Sequence, residues 1–204
     1  MIKKNLELVV ATHNVDKINE YKSLFCNIPI IMKTAIELGV SEPEENGKTF
    51  AENAYIKAKN TAKKTGKLSL GEDSGLTINA LNGFPGIITG RWAKDIGSYK
   101  KAFQELEKKL DGLSKKASFQ CVIVLFCPKQ GQIHKFSESV HGILDFSFIN
   151  EEGFGYDPIF VPEGYNKPFS QLTMSTKNQI SHRGKSCQKL LQFLASQTNT
   201  ESAK

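Results

Sequence analysis

The chain changes hydrophobic period between Leu6 and Phe25, and this change constrains the fold more than any other feature. Leu6-Glu7-Leu8-Val9-Val10-Ala11-Thr12 is a short apolar run with two valines, and after Asn14 the apolar positions Ile18, Tyr21, Leu24 and Phe25 keep helical spacing. The pattern predicts a strand, a tight loop and a helix. Pro29 to Lys33 reads as a second strand, followed by the acidic loop Ser41-Glu42-Pro43-Glu44-Glu45-Asn46-Gly47. Thr49-Phe50-Ala51-Glu52 is a capping-box pattern, in which hydroxyl and carboxylate each satisfy a backbone N–H that the first helical turn leaves open. A helix over Thr49–Lys64 follows, with Ala51, Ala54, Tyr55, Ala58 and Ala62 inward, Gly66 as its stop, and Asn53 and Lys57 one turn apart on a neighbouring face.

Leu68-Ser69-Leu70 reads as a strand running into Gly71-Glu72-Asp73-Ser74-Gly75, with apolar residues again from Leu76 to Leu81. Ser98–Leu110 is an amphipathic helix. Phe119–Cys127 and Gln132–Val140, joined by Pro128-Lys129-Gln130-Gly131, read as an antiparallel hairpin, and a last helix spans about Lys185–Ser196. Strands that alternate with helices early and pair as a hairpin late predict a mixed α/β sheet. Residues 1–196 are expected to form a single α/β domain, and 197–204 a frayed C-terminal tail.

The 204 residues, 39% hydrophobic and 24% charged, exclude disordered and collagenous classes. The longest apolar run, Cys121 to Phe126 with Cys127, is far short of the roughly 18 residues a membrane span needs. No apolar stretch of signal-peptide length follows the N-terminal lysines, so a cytoplasmic protein without membrane partners is expected. Cys26, Cys121, Cys127 and Cys187 make no C-x-x-C pair, and the four histidines no H-x-x-x-H pattern, so the spacing gives little support to a zinc hydrolase. A net charge of +6 favours a polyanionic ligand.

Four groups of residues carry side chains suited to chemistry on such a ligand. Thr12-His13-Asn14-Val15-Asp16-Lys17 joins the first strand to the first helix, where N–H groups and the helix dipole can hold a phosphate; Asn14 as a plain cap and Lys17 as a surface residue is the other reading. Glu45 and the pair Glu72-Asp73 supply the hard oxygens Mg²⁺ requires, or else are a solvated loop and a turn. Gly153-Phe154-Gly155-Tyr156-Asp157-Pro158 sets two rings among glycines, free to stack on a base or half-buried in a β-turn. Lys177 to Gly184 gathers Lys177, His182 and Arg183 just before the last helix. A nucleic-acid-binding protein would use the positive charge and the rings but has no use for Glu45, Glu72 and Asp73 near its cations, so no nucleic-acid partner is expected.

Together with Thr49-Phe50-Ala51-Glu52-Asn53-Ala54, Lys57, Glu72-Asp73-Ser74-Gly75-Leu76 and Gly83-Phe84-Pro85-Gly86, these segments resemble, in order and spacing over about residues 6–195, the inosine triphosphatase family, pyrophosphatases acting on deaminated purine nucleoside triphosphates. The resemblance implies an elongated mixed sheet flanked by helices in two lobes, an active-site cleft between the lobes, and a homodimer. It makes Thr12, His13, Asn14, Lys17, Lys57, Ser74 and Lys177 contacts of a purine nucleoside triphosphate such as ITP, dITP or XTP, with Asp73 as the catalytic carboxylate. Glu45, Glu72 and Asp73 would hold Mg²⁺. Phe154, Gly155, Tyr156 and Asp157 would line the nucleoside pocket, with Phe154 on the purine, and His182 and Arg183 would face the base. Where many members carry two aspartates this chain has Glu72-Asp73, and Thr89-Gly90-Arg91-Trp92-Ala93 replaces a more usual Ser-Ala-Arg-Tyr-like stretch. The alternative, a Maf-like nucleotide pyrophosphatase acting on dTTP or modified pyrimidine triphosphates, typically has a Ser-rich, Arg-rich loop where this chain has Thr12-His13-Asn14.

Overall fold

The computed structural model describes residues 2, 5–150 and 152–201. Strand β1 (Leu6–Val10) leads into α1 (Val15–Phe25) and returns as β2 (Ile30–Thr34), paired parallel to β1 from Leu6↔Ile30 to Val10↔Thr34. A long loop then leads to α2 (Phe50–Thr65) and β3 (Ser69–Ile78), which pairs parallel to β1 at Val9↔Ser69 and Val10↔Leu70. Helices α3 (Thr89–Asp95) and α4 (Tyr99–Lys109) follow, then β4 (Lys116–Cys127) and β5 (Gln132–Leu144), β6 (Phe160–Pro162), α5 (Met174–Ile180) and α6 (His182–Glu201). The six strands form one mixed sheet in the order β2-β1-β3-β4-β5-β6, with β5 and β6 antiparallel. Neighbours β4 and β5 are joined by only four residues, too short a link for a parallel pair.

The helices begin where side chains can accept the open N–H groups. Asn14 caps α1, Thr49 caps α2 and Ser98 caps α4, each accepting from the residue three positions on. In α2 the Glu52 carboxylate reaches back to the Lys48 N–H, one residue earlier than the capping box predicts, and Gly66 ends the helix in the left-handed conformation.

Five elements differ from the sequence expectation. Gly71 to Gly75, read as the end of a short strand with a turn as the other reading, lies inside the continuous ten-residue strand β3. The last helix starts at His182, so His182 and Arg183 open α6 instead of preceding it, and its backbone continues to Glu201; residues 202–204 lie outside the described residues. Helices α3 and α5 and strand β6, each seven residues or fewer, were not expected, being too short to display a period.

The chain divides into two compact units, the first made of 1–73, 121–138 and 183–204, the second of 74–120 and 139–182. In the first unit Leu8, Val10, Leu70, Cys121 and Ile123 pack with Tyr21 and Phe25 of α1 and Cys187, Leu190 and Leu194 of α6. A separate cluster joins Ala54, Ala58 and Ala62 of α2 to Val124 and Phe126 of β4. Adjacent residues of a strand point to opposite faces, so α1 and α6 cover one face of the first unit's sheet and α2 the other. The second unit has its own core around Leu76, Phe103, Phe119, Tyr156, Phe160 and Phe169. Among the described residues no helix is long and apolar enough to cross a membrane.

Candidate functional site

Strand alternation separates the two adjacent acids of β3. Glu72 and Asp73 are both buried, but their carboxylates meet different elements.

Asp73 faces α2. The Asn53 amide, fully buried, donates to Asp73 Oδ2 at 3.0 Å, and the Lys57 ammonium lies 3.5 Å from Asp73 Oδ1 and 2.9 Å from Glu45 Oε1. Helix α2 comes this near because position 71 is glycine: a Cβ there would lie 2.0 Å from the Ala54 carbonyl oxygen and 2.5 Å from the Ala58 nitrogen. The acidic loop is tied in by the Gly47 N–H, which donates to Asn53 Oδ1 at 2.9 Å. Burial raises the Asp73 carboxyl above its usual range, against the pull of Lys57, Lys17 and the Asn53 hydrogen bond.

Glu72 faces α1 and α6. Arg183 grips it with two hydrogen bonds, Nε to Oε2 at 2.7 Å and Nη2 to Oε1 at 2.8 Å, and the Lys17 ammonium lies 3.1 Å from Oε1. A second buried carboxylate, Glu20, accepts from Arg183 Nη1. Burial alone would push the Glu72 carboxyl up, but Arg183 and Lys17 outweigh it and hold it well below the usual carboxylate range. Glu72, expected as a metal ligand, is therefore not brought to Glu45 and Asp73, and Arg183, expected to face a base with His182, is 2% exposed and engaged with two carboxylates.

In the loop after β1, the Thr12 hydroxyl accepts from the Asn14 N–H at 3.2 Å, and Asn14 Oδ1 accepts from the Lys17 N–H at 3.1 Å. His13 Nε2 meets the Val40 carbonyl at 2.8 Å. Ser74 follows Asp73 and opens the second unit.

In the second unit the half-buried Phe154 has the Lys177 ammonium 5.6 Å from its ring centroid, and Lys177 forms a buried ion pair with Asp157. Tyr156, expected among rings free to stack, is packed instead: it meets Tyr99 edge-on at 5.4 Å and Phe103 at 5.6 Å, and its hydroxyl donates to the Thr89 carbonyl at 3.4 Å. His182 is buried and stacks on Phe119 with centroids 4.7 Å apart. A cavity of about 380 Å³ in this unit, lined by Ser118, His141, Val161 and Tyr165 among others, includes none of the expected substrate residues.

Sequence reasoning missed Glu20 and Asn53 as site residues. Glu20 shows only its i,i+3 spacing from Lys17, and Asn53 its one-turn spacing from Lys57.

Among the described residues no group of three or more His, Cys, Asp or Glu side chains is gathered to hold a metal ion. Two carboxylates do converge: Glu45 and Asp73 share the Lys57 ammonium, a cation already standing between them. Two hard oxygen donors suit Mg²⁺, which takes the rest of its shell from water and phosphate, whereas Glu72 has both oxygens on cationic groups.

The Ham1 family model matches residues 8–193. A dITP/XTP pyrophosphatase of Zymomonas mobilis is 38% identical over 188 residues, covering 90% of each chain, and one of Bartonella henselae is 40% identical over 184 residues, covering 85% of each. A HAM1 protein from Coxiella burnetii superposes with a TM-score of 0.84 at 35% identity, covering 94% of this chain and 99% of that one.

Proposed function

The chain belongs to the Ham1 family, and from that membership we propose that it hydrolyses deaminated purine nucleoside triphosphates, ITP, dITP and XTP, to the monophosphate and pyrophosphate. The observation that carries the reading is the Glu45–Lys57–Asp73 cluster braced by Asn53, two acids and a cation suited to a phosphate centre. Thr12, His13, Asn14, Lys17, Lys57 and Ser74 take the triphosphate. Lys17 and Lys57 neutralise the charge that moves onto the leaving pyrophosphate, and such positioning and electrostatics supply most of the catalysis in phosphoryl transfer. Asp73 orients the water that attacks the α-phosphorus and accepts its proton. Mg²⁺, held by Glu45 and Asp73, would supply further positive charge at the phosphate oxygens.

Base choice falls to the second unit. Phe154 stacks on the purine beside Gly155, and Tyr156 braces that loop from within the core. Lys177 donates to the 6-oxygen of hypoxanthine or xanthine while Asp157 accepts from N1–H; adenine offers an amino group and a bare nitrogen at those positions, mismatching both. His182 lies next to this set in the chain's order of motifs and completes the base contacts. Arg183 serves the first unit by holding Glu72 beside Lys17. The proposed setting is the cytoplasm, as a homodimer, in keeping with the family resemblance.

The test is pyrophosphate release from ITP, dITP, XTP, GTP, ATP and dTTP with Mg²⁺, beside Asp73→Asn and a chelated control. ITP and XTP should be cleaved at least about 100-fold faster than ATP, the selectivity of a buried polar mismatch, and both controls should be inactive. A preference for dTTP, or no cleavage of any triphosphate, overturns the reading.

A further inference from the structure

We infer that Asn53 is the positioning residue that assembles the carboxylate pair. One fully buried amide has two jobs: its Oδ1 accepts from the Gly47 N–H at 2.9 Å, and its Nδ2 donates to Asp73 Oδ2 at 3.0 Å. A carbonyl oxygen can only accept and an amide nitrogen only donate, so the two bonds together fix which way the amide points. Gly47 lies two residues after Glu45. Asn53 therefore ties the loop that carries Glu45 to the strand that carries Asp73, and the two carboxylates converge on Lys57, one turn further along the same helix. Asn53 touches neither the nucleotide nor the reacting atoms in the proposed reaction; it acts through Asp73 and the Glu45 loop.

The fit at Gly47 supports the assignment. A Cβ there would lie 2.5 Å from Asn53 Oδ1 and 2.7 Å from Glu52 Cβ, so any larger residue must push the loop away from the amide. The loop approaches this closely only because the position is glycine.

The inference rests on the proposed reaction for its kinetic readout, whereas Mn²⁺ uptake by the metal-free protein reads it without any nucleotide. Asn53→Leu removes both bonds at similar volume, and Gly47→Ala displaces the amide without removing any polar group. Thr49→Ala, which loses only the α2 cap, controls for a merely structural effect. Titrated with Mn²⁺, Asn53→Leu and Gly47→Ala should each bind at least about tenfold more weakly than wild type, the usual consequence of losing a partner of a metal-binding carboxylate. Thr49→Ala should melt at lower temperature yet bind Mn²⁺ like wild type. With ITP, the two site variants should lose kcat while KM changes less than about threefold, because phosphate contacts outside the carboxylate pair persist. If Asn53→Leu does not fold, Gly47→Ala alone decides. Wild-type Mn²⁺ affinity in Gly47→Ala, no Mn²⁺ uptake by the wild type, or equal weakening in Thr49→Ala overturns the inference. A wild type that binds Mn²⁺ but cleaves neither ITP nor XTP overturns the proposed reaction and leaves the Asn53 assignment to the Mn²⁺ result.

Discussion

Glu72 and Asp73 are neighbours in sequence with opposite electrostatic fates. Burial raises both, but Glu72 has a guanidinium and an ammonium against it and ends well below the usual carboxylate range, whereas Asp73, with Lys57 shared with Glu45, ends above it. The consequence for stability has a definite sign. Because the folded Glu72 is depressed, the stability it contributes is fully present above about pH 4.3, its value in an unfolded chain, and is lost as the pH falls through its folded value. Glu72→Gln should therefore lower the melting temperature strongly at pH 7, by the equivalent of about 3–5 kcal/mol for breaking a buried pair, and the gap to wild type should close as the pH is taken below 4. A gap that is constant across the pH range would mean that Glu72 contributes through shape and not charge.

At the scale of elements, the decisive contact is α2 against β3. Small alanines on the inner side of α2 and glycine at position 71 bring the helix backbone onto the strand, and only then can Asn53 and Lys57 reach Asp73. Gly71→Ala would place a methyl group 2.0 Å from the Ala54 carbonyl oxygen, contact with backbone that cannot swing aside. It should cost about 1–3 kcal/mol of stability, as overpacking does, and lower kcat with ITP, read by thermal melting and pyrophosphate release. The caps of α1 and α2 were legible from sequence because Asn14 and Thr49 act on N–H groups three residues away. The continuity of β3 was not, since Gly71-Glu72-Asp73-Ser74-Gly75 has the composition of a turn and little strand propensity. Ion pairs with Lys17, Lys57 and Arg183 make burial of those two acids tolerable, and none of the three is local.

At the scale of the whole molecule, each unit has its own core and its own chemistry. In the proposed reaction the acids and cations of the first unit serve the phosphates, and Phe154 with the Lys177–Asp157 pair of the second serves the base. Variants in the two should fail differently. Lys17→Met should slow ITP, XTP and ATP by similar factors, because every triphosphate has the same phosphates. Lys177→Met should narrow the ratio of ITP to ATP turnover by at least about tenfold, the value of one buried charged hydrogen bond. Equal losses on all three substrates in Lys177→Met would remove it from base recognition.

The mixed α/β class, the long helices and their caps, and the family followed from sequence, because hydrophobic period and side-chain capping are written within a few residues and six collinear motifs survive as a pattern. Local pattern did not say which acid partners which cation. Glu72 meets Arg183, 111 positions away, and Asp73 meets Asn53, 20 positions away, because a continuous strand sends consecutive side chains to opposite faces covered by different helices. That choice turns Glu72 to Arg183 and Lys17 and turns Asp73 to Asn53 and Lys57, and packing alone made it.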